Sequence, residues 1–204
     1  MARRAIMVDV DGVLVVHPDA GGWSANLERD LGGPAQMLQQ HFFAKHWEDV
    51  ITGRATLRER LAPVLAEIAP ALSCARLIDY WFSSDAHIDQ RLLAEVRSLR
   101  GDGCEVHLAT VQEHERAAYL WDRLDLRRDF DGIHYAAALG CSKPDPAFYR
   151  AVEAAVGLAP ASIFFIDDRA ENVAAARDCG WTAALWTGRQ TLRALIDEQR
   201  WPAR

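Results

Sequence analysis

The stretch Ala5-Ile6-Met7-Val8-Asp9-Val10-Asp11-Gly12-Val13 decides the fold. It is near-continuously apolar, then breaks at two carboxylates and a glycine, the pattern of a strand buried on both faces of a parallel sheet. Residues i and i+2 of a strand point to the same side, so Asp9 and Asp11 are expected to face one place. In an open α/β sheet that place is the crevice beyond the carboxyl ends of the strands. Two like charges buried there are costly unless a cation offsets them.

Further runs of this kind follow. Residues 104–110 come after the turn Gly101-Asp102-Gly103 and end in the hydroxyl of Thr110; residues 132–135 form a shorter run. Residues 162–168 end in Asp167-Asp168, and residues 181–186 follow Gly180. Helical spacing fills the intervals. Residues 88–100 carry Ile88, Leu92, Leu93, Val96 and Leu99; residues 145–156 open with Asp145-Pro146, a capping aspartate and a proline at the first helical position; residues 169–179 are alanine-rich. This alternation predicts an α/β fold, a Rossmann-like parallel sheet with helices on both faces. Residues 16–85 interrupt it. They hold no strand pattern and read as helices at about 24–31, 34–52, 56–69 and 73–82. The expected organisation is therefore a core of residues 1–15 and 86–204, with residues 16–85 as a small all-helical cap over the crevice. The tail from Thr191 reads as a short amphipathic helix (Leu192, Leu195, Ile196) that then frays.

Composition narrows the function classes. A chain of 204 residues, 50% hydrophobic and 25% charged, suits one compact domain with a small insert. A net charge of −6 argues against a nucleic-acid or acidic-membrane surface. The cysteines Cys74, Cys104, Cys141 and Cys179 are scattered without zinc-like spacing and read as reduced thiols. The apolar run before Asp9 is too short for a signal-peptide core, and no stretch approaches the roughly 20 apolar residues of a membrane span. The expectation is a cytoplasmic protein, monomer or homodimer, with neither nucleic acid nor membrane as partner.

The chemistry sits at the strand ends. Asp9 and Asp11, Thr110, and Asp167 and Asp168 converge there, and Lys143 precedes the helix that Asp145 opens. Clustered carboxylates make a hard-oxygen site suited to Mg²⁺, which shares its shell with waters and phosphate oxygens. A lysine and a hydroxyl alongside would hold the remaining phosphate oxygens. The combination reads as phosphoryl transfer.

Taken in order, Asp9-Val10-Asp11-Gly12-Val13, Thr110, Lys143-Pro144-Asp145-Pro146 and Ile166-Asp167-Asp168-Arg169-Ala170-Glu171-Asn172-Val173 resemble the four motifs of the haloacid dehalogenase-like hydrolases, across nearly the whole chain. The last motif is most similar to that of sugar-phosphate phosphatases and the amino-terminal phosphatase domains of epoxide hydrolases. The resemblance implies an Mg²⁺-dependent phosphatase for a small phosphorylated metabolite, with Asp9 as nucleophile and Asp11 as acid and then base. It implies Mg²⁺ on Asp9, the Asp11 backbone carbonyl, Asp167 and Asp168. Thr110 and Lys143 would grip phosphate, with Gly12, Val111 and Gln112 beside them, and Lys143 would keep Asp9 ionised. The dehalogenases of the family lack the second aspartate because halide leaves unprotonated, so Asp11 favours ester phosphates. One departure concerns the grip: many relatives follow the Thr or Ser of motif two with Asn, and this chain has Val111-Gln112, so either backbone suffices or Gln112 reaches in. Arg169, Glu171 and Asn172 read as capping and loop-tying residues. In the cap, Trp23, His46 and Trp47, with His17 on the entering loop, are the candidates for lining the pocket. A phosphomutase of the same family, or a binding module that kept the fold, are the alternatives.

Overall fold

The computed structural model describes residues 3–19 and 21–202. Five strands, β1 (Ala5–Val8), β2 (Glu105–Thr110), β3 (Gly132–Tyr135), β4 (Ile163–Asp167) and β5 (Thr182–Leu185), form one parallel sheet in the order β3-β2-β1-β4-β5. The chain runs from the central β1 to one side of the sheet and then returns to the other. The switch point therefore lies between β1 and β4, where such sheets open a ligand crevice.

Strand alternation sorts the core into two layers. Ile6, Val8, Val106, Leu108, Phe164 and Ile166 face α6 (Gln90–Gly101) and α11 (Leu192–Glu198), burying Leu92, Val96, Leu192 and Ile196. Ala5, Met7, Ile163 and Phe165 face α9 (Pro146–Val156) and α10 (Ala170–Asp178), burying Phe148, Tyr149, Val152 and Val173. Both faces are dry, which is why β1 and β4 are apolar throughout.

Between β1 and β2 the chain makes a helical insert: α1 (Leu27–Leu31), α2 (Ala35–Leu38), α3 (Ala44–Ile51), α4 (Leu57–Ile68) and α5 (Cys74–Ser84). A π turn at Gln39–Phe43 joins α2 to α3. Thr56 caps α4 reciprocally with Glu59, ending the preceding loop, and Ser73 caps α5. The insert has its own apolar cluster around Leu27, Leu38, Phe42, Leu61, Leu65 and Ile78. It touches the sheet domain through α7 (His114–Ala118) and α8 (Ala136–Leu139). Arg58 pairs with Glu115 at 2.8 Å, and a Cβ at Gly53 would lie 2.3 Å from the Ala137 carbonyl, so that turn admits only glycine.

Two expectations are corrected. The first strand stops at Val8, short of Asp11, because the Val10 carbonyl accepts N–H bonds from Val13, Leu14 and Val15 and closes a turn. The tail does not fray directly after its helix. Trp201 is buried against Phe164, with 5.5 Å between ring centroids, and its indole N–H donates to the Ala161 carbonyl at 3.3 Å. Residues 203–204 lie outside the described residues.

Candidate active site

Sheet register levels the site. Val8 lies opposite Leu108 on one side and Ile166 on the other, so the next residues, Asp9, Ala109 and Asp167, lie level near the carboxyl ends of three adjacent strands. Lys143 comes from the loop between α8 and α9, held by the Asp145 cap, whose Oδ1 accepts from the Ala147 N–H at 2.8 Å. Its ammonium lies 2.8 Å from Asp9 Oδ1 and 2.5 Å from Asp167 Oδ2, and donates to the Ala109 carbonyl at 2.9 Å. The Phe165 ring sits 5.0 Å from Nζ, so the charge is enclosed as well as paired.

Asp167 is fully buried and fully engaged. Both its oxygens accept from Asn172 Nδ2 at 3.0 Å, and Oδ1 also takes the Arg169 N–H at 2.8 Å. Asn172 is held in turn from α9, where Tyr149 donates its hydroxyl proton to the Asn172 carbonyl at 2.8 Å. Asn172 thus orients a carboxylate, a more specific task than the capping read from the sequence.

Asp11 stands beyond the strand, and the turn rather than strand alternation brings it beside Asp9. Gln112 donates to Asp11 Oδ2 at 2.6 Å. This settles where Gln112 points: its amide is spent on Asp11, while Thr110 and Val111 line the cavity. Gly12 has φ +80°, and a Cβ there would meet Asp168 Oδ2 at 2.3 Å, so glycine is required for Asp168 to close in.

A cavity of about 420 Å³ gathers Asp9, Asp11, Gly12, Thr110, Val111, Lys143 and Asp168, roofed by Trp47 from α3. The other candidates lie elsewhere. His46 lines a separate cavity with Lys45 and Arg60, and Trp23 and His17 line a third with Tyr80 and His87.

Charge in the site is unbalanced. Oxygens of Asp9, Asp167 and Asp168 lie within 4.8 Å of one another, opposite the single ammonium of Lys143. Burial raises the Asp9 carboxyl above its usual range; Lys143 opposes the shift and Asp167 adds to it. Asp168 is raised as well, by burial first and by Asp167 second. Three oxygen donors short of positive charge fit a hard divalent cation. Asp11 reaches solvent, yet the crevice walls withhold enough water to raise its carboxyl too, against the pull of the Arg116 guanidinium.

Arg116 was not among the residues singled out from the sequence. It is buried, donates to the carbonyls of Phe82 and Asp85 at the end of α5, and lies 5.3 and 5.4 Å from the Phe82 and Tyr119 rings. No pattern of spacing marks such a residue, because its partners come from the insert.

Comparison with known proteins agrees with this geometry. The profile of the haloacid dehalogenase-like hydrolases matches residues 3–180. The chain belongs to this family. It is a hydrolase by that membership. A sesquiterpene phosphatase of Aspergillus oryzae is 34% identical over 98 residues, 45% of this chain and 47% of that protein. A phosphoglycolate phosphatase of Pseudomonas putida is 29% identical over 189 residues, 87% of this chain and 66% of that protein. The chain thus spans about half to two thirds of the length of these two relatives. A HAD family enzyme of Bacteroides thetaiotaomicron, crystallised as an alanine mutant with magnesium and inorganic phosphate, shares the fold at TM-score 0.80 and 18% identity, covering 96% of this chain and 99% of that one. Among the described residues no helix is long and apolar enough to cross a membrane.

Proposed function

We propose that this hydrolase is a phosphatase, cleaving the phosphomonoester of a small metabolite through a phosphoenzyme intermediate on Asp9, with residues 16–85 as its cap. The observation that carries the reading is the placement of Lys143, 2.8 Å from Asp9 and 2.5 Å from Asp167 at the floor of a cavity that Asp11 and Thr110 also line. The ammonium opposes the burial that raises the Asp9 carboxyl and so favours its ionised, nucleophilic form, and with the Thr110 hydroxyl it offers donors to phosphoryl oxygens.

Asp9 attacks phosphorus, and the ester oxygen leaves with the proton that Asp11 gives it. Asp11, now a base, takes a proton from water, which attacks phosphorus and returns Asp9 free with inorganic phosphate. The Gln112 amide holds Asp11 in one orientation for both proton transfers. Asp9, Asp167, Asp168 and the Asp11 carbonyl would hold Mg²⁺, which supplies neutralisation of the phosphoryl charge. The fit lies in the three carboxylates within 4.8 Å. The magnesium and phosphate bound by the Bacteroides enzyme, and the phosphatases among the relatives, support the same reading.

The test is phosphate release from a panel of phosphomonoesters with and without Mg²⁺. Release that stops on exhaustive removal of metal with EDTA, and that Ca²⁺ suppresses by accepting longer and more numerous oxygen contacts, is expected. Full activity without divalent metal would overturn the site assignment. Isomer formation without phosphate release would instead identify a mutase.

A further inference from the structure

The cavity has two unlike walls. The floor carries the carboxylates, Lys143 and Thr110, which serve the phosphoryl group. The roof is Trp47, which among the described residues is the insert's sole contribution to the lining. Lys45, His46 and Arg60 line a separate cavity of about 230 Å³ together with Glu59 and Glu67, and Trp23 lines another with Tyr80.

Trp47 is held by aromatic contacts rather than polar ones. Its ring centroid lies 6.2 Å from Phe42, 5.4 Å from Phe43 and 5.7 Å from Trp81, and Trp81 stacks on Trp23 at 4.8 Å and 20°. The indole N–H donates to no protein group among the described residues. This cluster fixes the indole as a preformed apolar surface in the wall of the cavity that Asp9 and Asp11 also line.

The polar donors of the lining are largely taken, since Asn172 Nδ2 already donates to Asp167 at 3.0 Å. Beyond Lys143, the cation the lining offers is Arg169, which is exposed and already paired with Glu171 at 2.8 Å. A second anionic group on the substrate would find no free buried charge, and the hydroxyls of a polyol would lose water against the indole. A flat apolar group would gain both burial and ring contact.

We infer that this site selects phosphomonoesters whose leaving group is neutral, flat and apolar, such as benzyl or other unsaturated alcohols, packed against Trp47. The inference rests on the phosphatase reading and names the substrate class within it.

The experiment compares kcat/KM for benzyl phosphate, ethyl phosphate and phosphoglycolate in the full chain, with Mg²⁺ present, for the wild type, Trp47→Ala, Trp47→Phe and His46→Ala. Benzyl phosphate is expected to be preferred over each of the others by about tenfold or more. The preference should shrink to within about threefold in Trp47→Ala, survive largely in Trp47→Phe and be unchanged in His46→Ala, whose ring lines another cavity. A wild-type preference for phosphoglycolate, or a benzyl preference that Trp47→Ala leaves intact, would overturn the inference. Because Trp47→Ala could loosen the cap, the wild type is also titrated with benzylphosphonate and methylphosphonate, which cannot be cleaved. Benzylphosphonate binding about tenfold tighter supports the inference, and equal binding overturns it. If no ester is turned over, the phosphatase reading fails, and this binding comparison still decides the apolar subsite.

Discussion

At the carboxyl edge of the sheet, Lys143 reaches Asp9 and Asp167 at 2.8 and 2.5 Å, and Asp167 is held again by Asn172 at 3.0 Å. In the insert, Trp47 is held by apolar packing, with 5.4 Å to Phe43 and 5.7 Å to Trp81 between centroids. The first arrangement is directional and intolerant, since each buried charge lost leaves another unpaired. The second is set by shape and volume, and accepts an isosteric exchange at small cost. The strand-end residues are therefore placed by paired charge, and the insert's part of the cavity wall by packing.

The hardest blow to the first region is Asp9→Asn. The change is nearly isosteric and removes the proposed nucleophile and one proposed metal donor, so turnover should fall by at least about 10⁴ while the fold persists. Far-UV circular dichroism checks the fold and mass spectrometry excludes deamidation back to aspartate. Substantial residual turnover would remove Asp9 from the nucleophile's role.

Asp11→Asn should separate two steps that share one residue. Alkyl phosphate cleavage should slow by a factor on the order of 10²–10⁴, the usual worth of general acid–base catalysis. p-Nitrophenyl phosphate needs little protonation of its leaving group, so a burst of nitrophenol near one equivalent should precede slow turnover. Equal loss on both substrates without a burst would make Asp11 chiefly structural.

The second region breaks differently. Phe42 is fully buried in the cap's own cluster, and Phe42→Ala should cost about 3–5 kcal/mol of folding stability, read by urea unfolding. A cost below about 1 kcal/mol would mean that the cap repacks, and that Trp47 is less firmly placed than its ring contacts indicate.

A smaller test sharpens the comparison inside the core, away from the crevice. His134 Nε2 lies 3.3 Å from His107 Nδ1 between β2 and β3. Burial lowers both imidazoles, His134 to about 4 with His107 adding to the shift. The unfolded chain binds their protons at about pH 6.5, before the folded one does, so their contribution is intact above that pH. It is lost as pH falls from about 6.5 toward 4. The loss should be on the order of 2 kcal/mol, allowing for the partial exposure of His134. His134→Gln should flatten the acid slope of the melting temperature relative to the wild type, and an unchanged slope would deny the pair this role.

Much of the core was legible in the sequence because its signals are local. Residues 132–135 and 145–156 match β3 and the capped α9 closely, since turn glycines, the Asp145-Pro146 cap and apolar runs all act within a few residues. The strand-end motifs named the residues that register then levels. The limits appear where a local rule meets a distant partner. Strand alternation is the wrong reason for Asp9 and Asp11 to meet, because β1 ends at Val8 and Asp11 lies inside the turn closed on the Val10 carbonyl. Gln112 reads as a phosphate contact by its position in the motif, and the fold spends it on Asp11.

The sequence by itself determined the parallel α/β sheet, the helical insertion after its first strand and the set of carboxylates, lysine and hydroxyl at the strand ends. Each is written in periodicity, caps or motif order, which depend on neighbours along the chain. Only the tertiary structure decided that Trp47, rather than Trp23 or His46, overlooks the cavity, and that Arg116 is buried against the end of α5. A helix shows several aromatic residues at core spacing, and which of them faces outward depends on the π turn at Gln39–Phe43 and on how the cap docks through Gly53 and Arg58. That choice is made by contacts between residues far apart in sequence, which no local pattern records.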